Sequence, residues 1–177
     1  RHAHHCPPQQ LSEIQLTFLI VFWHRNERSY DRQPASQLFV PGDSLGYHQS
    51  THEEPIDPVL GYQPRVHQYN IQSMELFALF LKEFDSVKEG DGTVLDNSLI
   101  FAFTDQSFAK IHAVDGLPMF TAGKASGRMN TGYHIDGASS PVSRVGLTLQ
   151  KAMSIGVESW GTGSMETKNT ITDILSI

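Results

Sequence analysis

The stretch Ser98-Leu-Ile-Phe-Ala-Phe-Thr-Asp105, followed by His112 and then Leu117-Pro118-Met119-Phe120, decides how this chain is read. A short apolar run ends in a carboxylate, an irregular segment carries a histidine, and a second apolar run begins after a proline. An α/β protein places polar ligands in this way, beyond the carboxyl end of a buried strand. Leu99–Phe103 is therefore predicted as a buried strand and Met119–Ala122 as the next. Asp105, Lys110, His112 and Asp115 ride on the connection between them.

Outward from this stretch, Val66 to Val87 is the clearest helix. Val66, Tyr69, Met74, Phe77, Phe80, Leu81, Phe84 and Val87 recur near helical spacing and predict a core-facing stripe. Gly90-Asp91-Gly92 stops it with residues that tolerate positive φ. Downstream, Ser140 is a candidate N-cap and Pro141 a first-turn residue for a helix ending near Gly156. Val142, Val145, Leu149, Ala152 and Met153 share one face of it. Upstream, Gln15 to Trp23 is rich in β-branched and aromatic residues and suits a strand buried on both sides. Residues 24–64 carry Pro34, Pro41, Gly42, Gly46, Pro55, Pro58, Gly61 and Pro64, and read as one long Pro/Gly-rich loop.

Alternating strand and helix signals predict an α/β fold, a three-layer sandwich with a mostly parallel sheet. The expected organisation is a flexible leader over 1–13 and a single domain over 14–177. Only three or four strands can be counted, and the chain opens on Arg1, so the sheet is expected to be incomplete, the C-terminal portion of a larger one.

Composition narrows the function classes. The 177 residues are 39% hydrophobic and 18% charged, as in a soluble globular protein. A formal charge of −6 with scattered Lys and Arg argues against nucleic acid as a partner, since binding there needs clustered cations. Cys6 is the one cysteine, which excludes an internal disulfide and a Cys-rich metal site. The longest apolar run, Leu16 to Trp23, falls far short of the roughly 20 residues of a membrane span. His2, His4, His5 and Cys6 read as incidental residues of a terminus, because no scaffold fixes them.

Two groups of residues carry possible chemistry. Asp105 and His112, beyond one strand, suit a divalent cation such as zinc or manganese, or a carboxylate that orients the ring of a general base. The same residues equally suit a turn cap and a backbone-bonded ring. His48-Gln-Ser-Thr-His52-Glu53-Glu54 offers two imidazoles and two carboxylates, a competent ligand or acid/base set if the segment folds inward. Gly46 and Pro55 argue against a helix there, and the spacing is not that of a zincin. Arg128, Arg144 and Lys110 are candidates to hold an anionic substrate group. Gly123-Lys-Ala-Ser126 resembles the tail of a phosphate loop, but Pro118 stands where its first glycine belongs. There is no Gly-x-Ser-x-Gly elbow and no dinucleotide fingerprint after a strand.

From about Pro41 to Ile174 the sequence resembles the bacterial family catalogued as domain of unknown function 1552. The resemblance is carried by Tyr47-His-Gln-Ser-Thr-His52, Glu89-Gly-Asp-Gly-Thr-Val-Leu-Asp-Asn-Ser98, Thr104-Asp105 with His112 and Leu117-Pro118, Arg144-Val-Gly-Leu-Thr-Leu-Gln150, and Trp160-Gly161. That family is distantly similar to the alkaline phosphatase and sulfatase superfamily. Its members hold one or two metal ions beyond the strand ends. Gln106 stands where the superfamily carries a histidine, and the N-terminal nucleophile region has no counterpart here. The resemblance implies an alkaline-phosphatase-like fold and a periplasmic or secreted location.

The expectation is thus a metal-dependent hydrolase of a small-molecule phosphate, sulfate or other ester. Asp105 and His112 would bind the metal, and His48 or His52 would complete the shell or act as acid/base. The alternative is a non-catalytic exported binding or structural protein on a degenerate hydrolase fold. An incomplete sheet leaves an edge to cover, so a homo-oligomer is expected.

Overall fold

The computed structural model describes residues 42, 44–104, 106–137 and 139–176. The expected leader, the expected strand over 15–23, the first part of the expected loop, and Asp105 lie outside the described residues. Among these residues four helices and four short strands follow in order: α1 (Tyr47–Glu53), α2 (Pro64–Ser86), β1 (Lys88–Glu89), β2 (Gly92–Thr93), α3 (Val94–Asn97), β3 (Ile100–Phe103), β4 (Met119–Ala122) and α4 (Ser143–Ala152). Single 3-10 turns occur at Ala109–Ile111, Gly163–Met165 and Thr172–Ile174.

The strands form two two-stranded antiparallel sheets, β1–β2 and β3–β4. β1 and β2 pair Lys88 with Thr93 and Glu89 with Gly92, around a two-residue turn opened by Gly90 at φ 60°. β3 and β4 lie where the apolar runs predict them. They pair with each other, however, instead of standing as parallel neighbours with a helix between. The connection explains this: Thr104 N–H bonds Pro118 C=O, Ser107 N–H bonds Ala113 C=O, and Phe108 bridges Ala113. A ribbon closed by such bonds returns the chain antiparallel, whereas a parallel partner needs a crossover of a dozen or more residues, usually helical. Among the described residues there is no parallel sheet and no three-layer sandwich.

The chain divides into two units. Among the described residues, one holds 84–101 and 121–176 and the other 42–83 and 102–120.

The first unit has a clear apolar core. Leu99, Ala125, Met129, Leu149, Ala152, Ile171 and Ile174 form one buried cluster, with Phe101, Ile135, Val145, Met153 and Leu175 packed against it. α4 supplies its inner face from Val145, Leu149 and Ala152, as the periodicity predicts, although Val142 is exposed. The helix begins at Ser143 rather than after Ser140, because the Ser140 hydroxyl accepts Arg144 Nη1 at 3.1 Å instead of capping the backbone. Thr148 ties the tail to α4. Its hydroxyl donates to Arg144 C=O at 2.7 Å and accepts Ile171 N–H at 2.9 Å.

α3 is short and held by its ends. Thr93 and Asp96 form a reciprocal capping box, and Ser98 Oγ donates to Val94 C=O. The loop after β4 lies against this end, with Ala125 and Ser126 N–H donating to the carbonyls of Ser98 and Asp96. Gly123 is required there. Its φ is +84°, and a Cβ would sit 2.2 Å from the Ser98 carbonyl oxygen. These bonds commit the Ala125 and Ser126 N–H groups, two of the donors that a phosphate cradle at Gly123–Ser126 would need.

In the second unit α2 spans almost the predicted helix. Tyr69 is buried, Val66, Phe77, Phe80, Leu81 and the adjoining Phe84 are half-buried, and Met74 and Val87 are exposed. The expected core-facing stripe is therefore only partly covered. The main departure is α1, which forms where Gly46 and Pro55 argued against a helix. Both residues flank it instead of interrupting it. Gly46 is the extended N-cap residue, and Glu54 is extended as the residue before a proline must be.

Candidate functional site

α1 has seven residues and would not persist alone. Its position is fixed by side chains on the segment that follows. The buried Gln63 amide donates its two N–H groups to the carbonyls of Glu54 at 2.8 Å and Thr51 at 3.0 Å, satisfying acceptors at the end of α1, and lies 3.4 Å from Ser50 C=O, which already accepts Glu54 N–H. Glu54 works in the other direction: its carboxylate accepts Arg65 N–H at 2.8 Å and Val66 N–H at 2.9 Å, at the positive end of α2. Between them Asp57 makes a side-chain turn, accepting Val59 and Leu60 N–H. Tyr47 lays its ring against Tyr69 of α2, centroids 5.1 Å apart. The expected loop is thus ordered over this part by carboxylate and amide caps.

The four-residue spacing of His48 and His52 now puts both rings on one face of α1, with centroids 4.8 Å apart. The ribbon between β3 and β4 brings His112 to the same face, its ring 5.1 Å from that of His52. His112 holds a left-handed backbone, φ 54° and ψ 40°, at the end of the Ala109–Ile111 turn. Such a conformation costs a non-glycine residue about 1–2 kcal/mol. Lys110 fastens the turn to α1 by donating from Nζ to Glu54 C=O at 3.2 Å. His52 is half-buried, and His48 and His112 are exposed. Behind the row, Ser50 is fully buried and its hydroxyl has no partner.

Four of the predicted site residues therefore meet: His48, His52, His112 and, as a tether, Lys110. The expected Asp105–His112 pair lies partly outside the described residues. Arg128 and Arg144 belong to the other unit. Arg128 is exposed, while Arg144 donates from Nε and Nη2 to Thr170 C=O at 3.3 and 3.2 Å. Sequence reasoning placed Glu54 in a ligand set and not at a helix end, and missed Gln63. The signal was present, because each immediately precedes a proline, and a carboxylate or amide there is placed to cap an adjacent helix end.

The ring pairs His48–His52 and His52–His112 are edge-to-face contacts, with interplanar angles of 68° and 70°. With metal–nitrogen bonds of about 2.0–2.1 Å and tetrahedral angles, two imidazoles on one ion place their centroids about 5 Å apart. Both observed separations match. All three rings do not close on one point: among the described residues no three His, Cys, Asp or Glu side chains form a metal-holding group. His52 is common to both ring pairs.

No protein-family model matches the chain, and neither the curated proteins nor the solved structures give a match.

Proposed function

We propose that the chain is a metal-dependent ester hydrolase whose centre is the histidine row of α1 and the β3–β4 ribbon. One observation carries the reading: His52 lies within chelating separation of both His48 and His112, a residue sixty positions away in sequence. His52 with His112, or with His48, would hold zinc or manganese. Such an ion would polarise a phosphate, sulfate or carboxylate ester and make bound water a nucleophile at neutral pH. The remaining imidazole is exposed, free to exchange protons with solvent, and suited to general acid/base work. Lys110 keeps the ribbon on α1, so it is a positioning residue here and not a substrate clamp. The reading rests on imidazole geometry, not on the sheet.

Metal analysis and turnover on an ester panel test it. After reconstitution with zinc alone, the full chain is expected to retain stoichiometric metal and to hydrolyse at least one aryl phosphate, sulfate or acetate. H52A is expected to lose both properties, H48A and H112A to lose each in part. Retention of full activity by H52A, or no zinc uptake by the folded wild type, sinks the reading.

A second reading, a non-catalytic exported binding protein, is favoured by the apolar side chains the second unit exposes. Val59 is 91% exposed and Ile111 70%. Turnover that depends on His52 removes it.

A further inference from the structure

In the first unit, the start of α4 and the 167–172 segment border an open groove of about 490 Å³, within the size range of small-molecule sites. Its lining is Ser140, Pro141 and Arg144 on one side and Thr167, Lys168, Asn169, Thr170 and Thr172 on the other. The ionisable groups of this lining, Arg144 and Lys168, are both cationic, in a chain whose net charge is −6. The other lining groups are hydroxyls and an amide, apart from Pro141 and backbone.

Arg144 is held in place before any guest arrives. Nε and Nη2 donate to Thr170 C=O, and Nη1 donates to Ser140 Oγ. A guanidinium has five N–H donors in a planar fork, so these bonds leave one N–H on each terminal nitrogen. A half-buried cation with fixed orientation and two uncommitted donors suits a tetrahedral oxyanion. Lys168 adds a second charge from the exposed rim. The groove is larger than a bare ion needs, and its hydroxyl and amide lining matches a hydroxylated carrier rather than an apolar one.

We propose that this groove binds the phosphate group of a small phosphorylated sugar or polyol, with Arg144 as the fixed donor and Lys168 as the closing cation. The proposal is independent of the histidine reading. Its groups lie wholly in the first unit, and its test does not use activity.

The experiment is a chemical-shift titration of the full chain with glucose 6-phosphate, glucose 6-sulfate, inorganic phosphate and glucose in parallel. Saturable shifts are expected for Arg144 and Lys168–Thr172 with glucose 6-phosphate, and none with glucose. K168E reverses an exposed charge without touching the fold and should weaken binding at least about 10-fold. R144K keeps the charge but loses the two-point fork, and should weaken it as well. Absence of saturable shifts in the groove, or unchanged affinity in K168E, overturns the proposal. Inorganic phosphate binding as tightly as the sugar phosphate overturns the hydroxylated carrier. Tighter binding of the sulfate overturns the choice of phosphate.

Discussion

Thr148 carries more of the first unit's integrity than its size suggests. It is fully buried, and its hydroxyl serves as donor to Arg144 C=O and acceptor from Ile171 N–H. Thr148→Val keeps the shape and leaves Ile171 N–H buried without a partner, which costs about 1–3 kcal/mol. Thr148→Ser keeps both bonds and loses a methyl, about 1 kcal/mol. Urea unfolding should therefore place the valine variant below the serine variant. The reverse order would mean that methyl packing, not the bond to the tail, holds Ile171 in the core. The sequence shows Thr148 only as a polar residue on a helix. Its role depends on a partner 23 positions away, which local periodicity cannot reveal.

At the scale of elements, what was legible followed from local chemistry. β4 matches its apolar run, β3 begins one residue later than expected, and α2 runs from Pro64 to Ser86 against a prediction of 66–87. Pairing was not legible, because a short apolar run carries no sign of whether its neighbour will be parallel or antiparallel. α1 was hidden for a different reason: its stability comes from Gln63, outside the helix. Gln63→Ala should open the last turn of α1, costing about 1–2 kcal/mol locally, in the range of a lost helix cap. Amide exchange over 50–54 reads this directly, and unchanged protection there would show that Tyr47 on Tyr69 suffices. α3 makes a prediction in pH. The hydrogen bond from Lys124 to Asp96, 2.8 Å, with the Thr93 backbone N–H second, holds the Asp96 carboxyl below the usual carboxylate range. The same hydrogen bond to Asp96 holds Lys124 above the usual lysine range. A carboxyl lowered on folding stabilises above its unfolded pKa and loses that contribution as pH falls through the folded value. An amine raised on folding stabilises below its unfolded pKa and loses that contribution as pH rises through the folded one. The pair's contribution is thus present across neutral pH and lost at both extremes. The urea-midpoint gap between wild type and Asp96→Asn should shrink on acidification below the carboxylate range. A gap that does not change with pH would assign the effect of Asp96 to its cap on Thr93 alone.

Across the whole molecule, burial is unequally shared, and the two proposed sites fall on opposite sides of that inequality. Among the described residues the buried apolar side chains are Leu99, Ile100, Ala125, Met129, Leu147, Leu149, Ala152, Ile171 and Ile174 in the first unit, against Tyr69 in the second. A segment with few buried apolar side chains opens at a lower free energy than one enclosing a core. Amides of α1 and of 107–113 should therefore exchange faster than those of α4 and of the chain around Ile171–Leu175. A ligand that binds only the closed form adds RT ln(1 + [L]/Kd), about 2.7 kcal/mol at a hundredfold excess over Kd. Zinc held by His52 and His112 joins α1 to the ribbon, so it should slow exchange in both of these segments together and leave α4 unchanged. The sugar phosphate should do the opposite, protecting the 167–172 segment and the start of α4 alone. If zinc slows exchange in α1 but not in 107–113, the ion sits on His48 and His52 of one helix turn. The contact that brings His112 to the row would then be a structural one, with no part in holding metal.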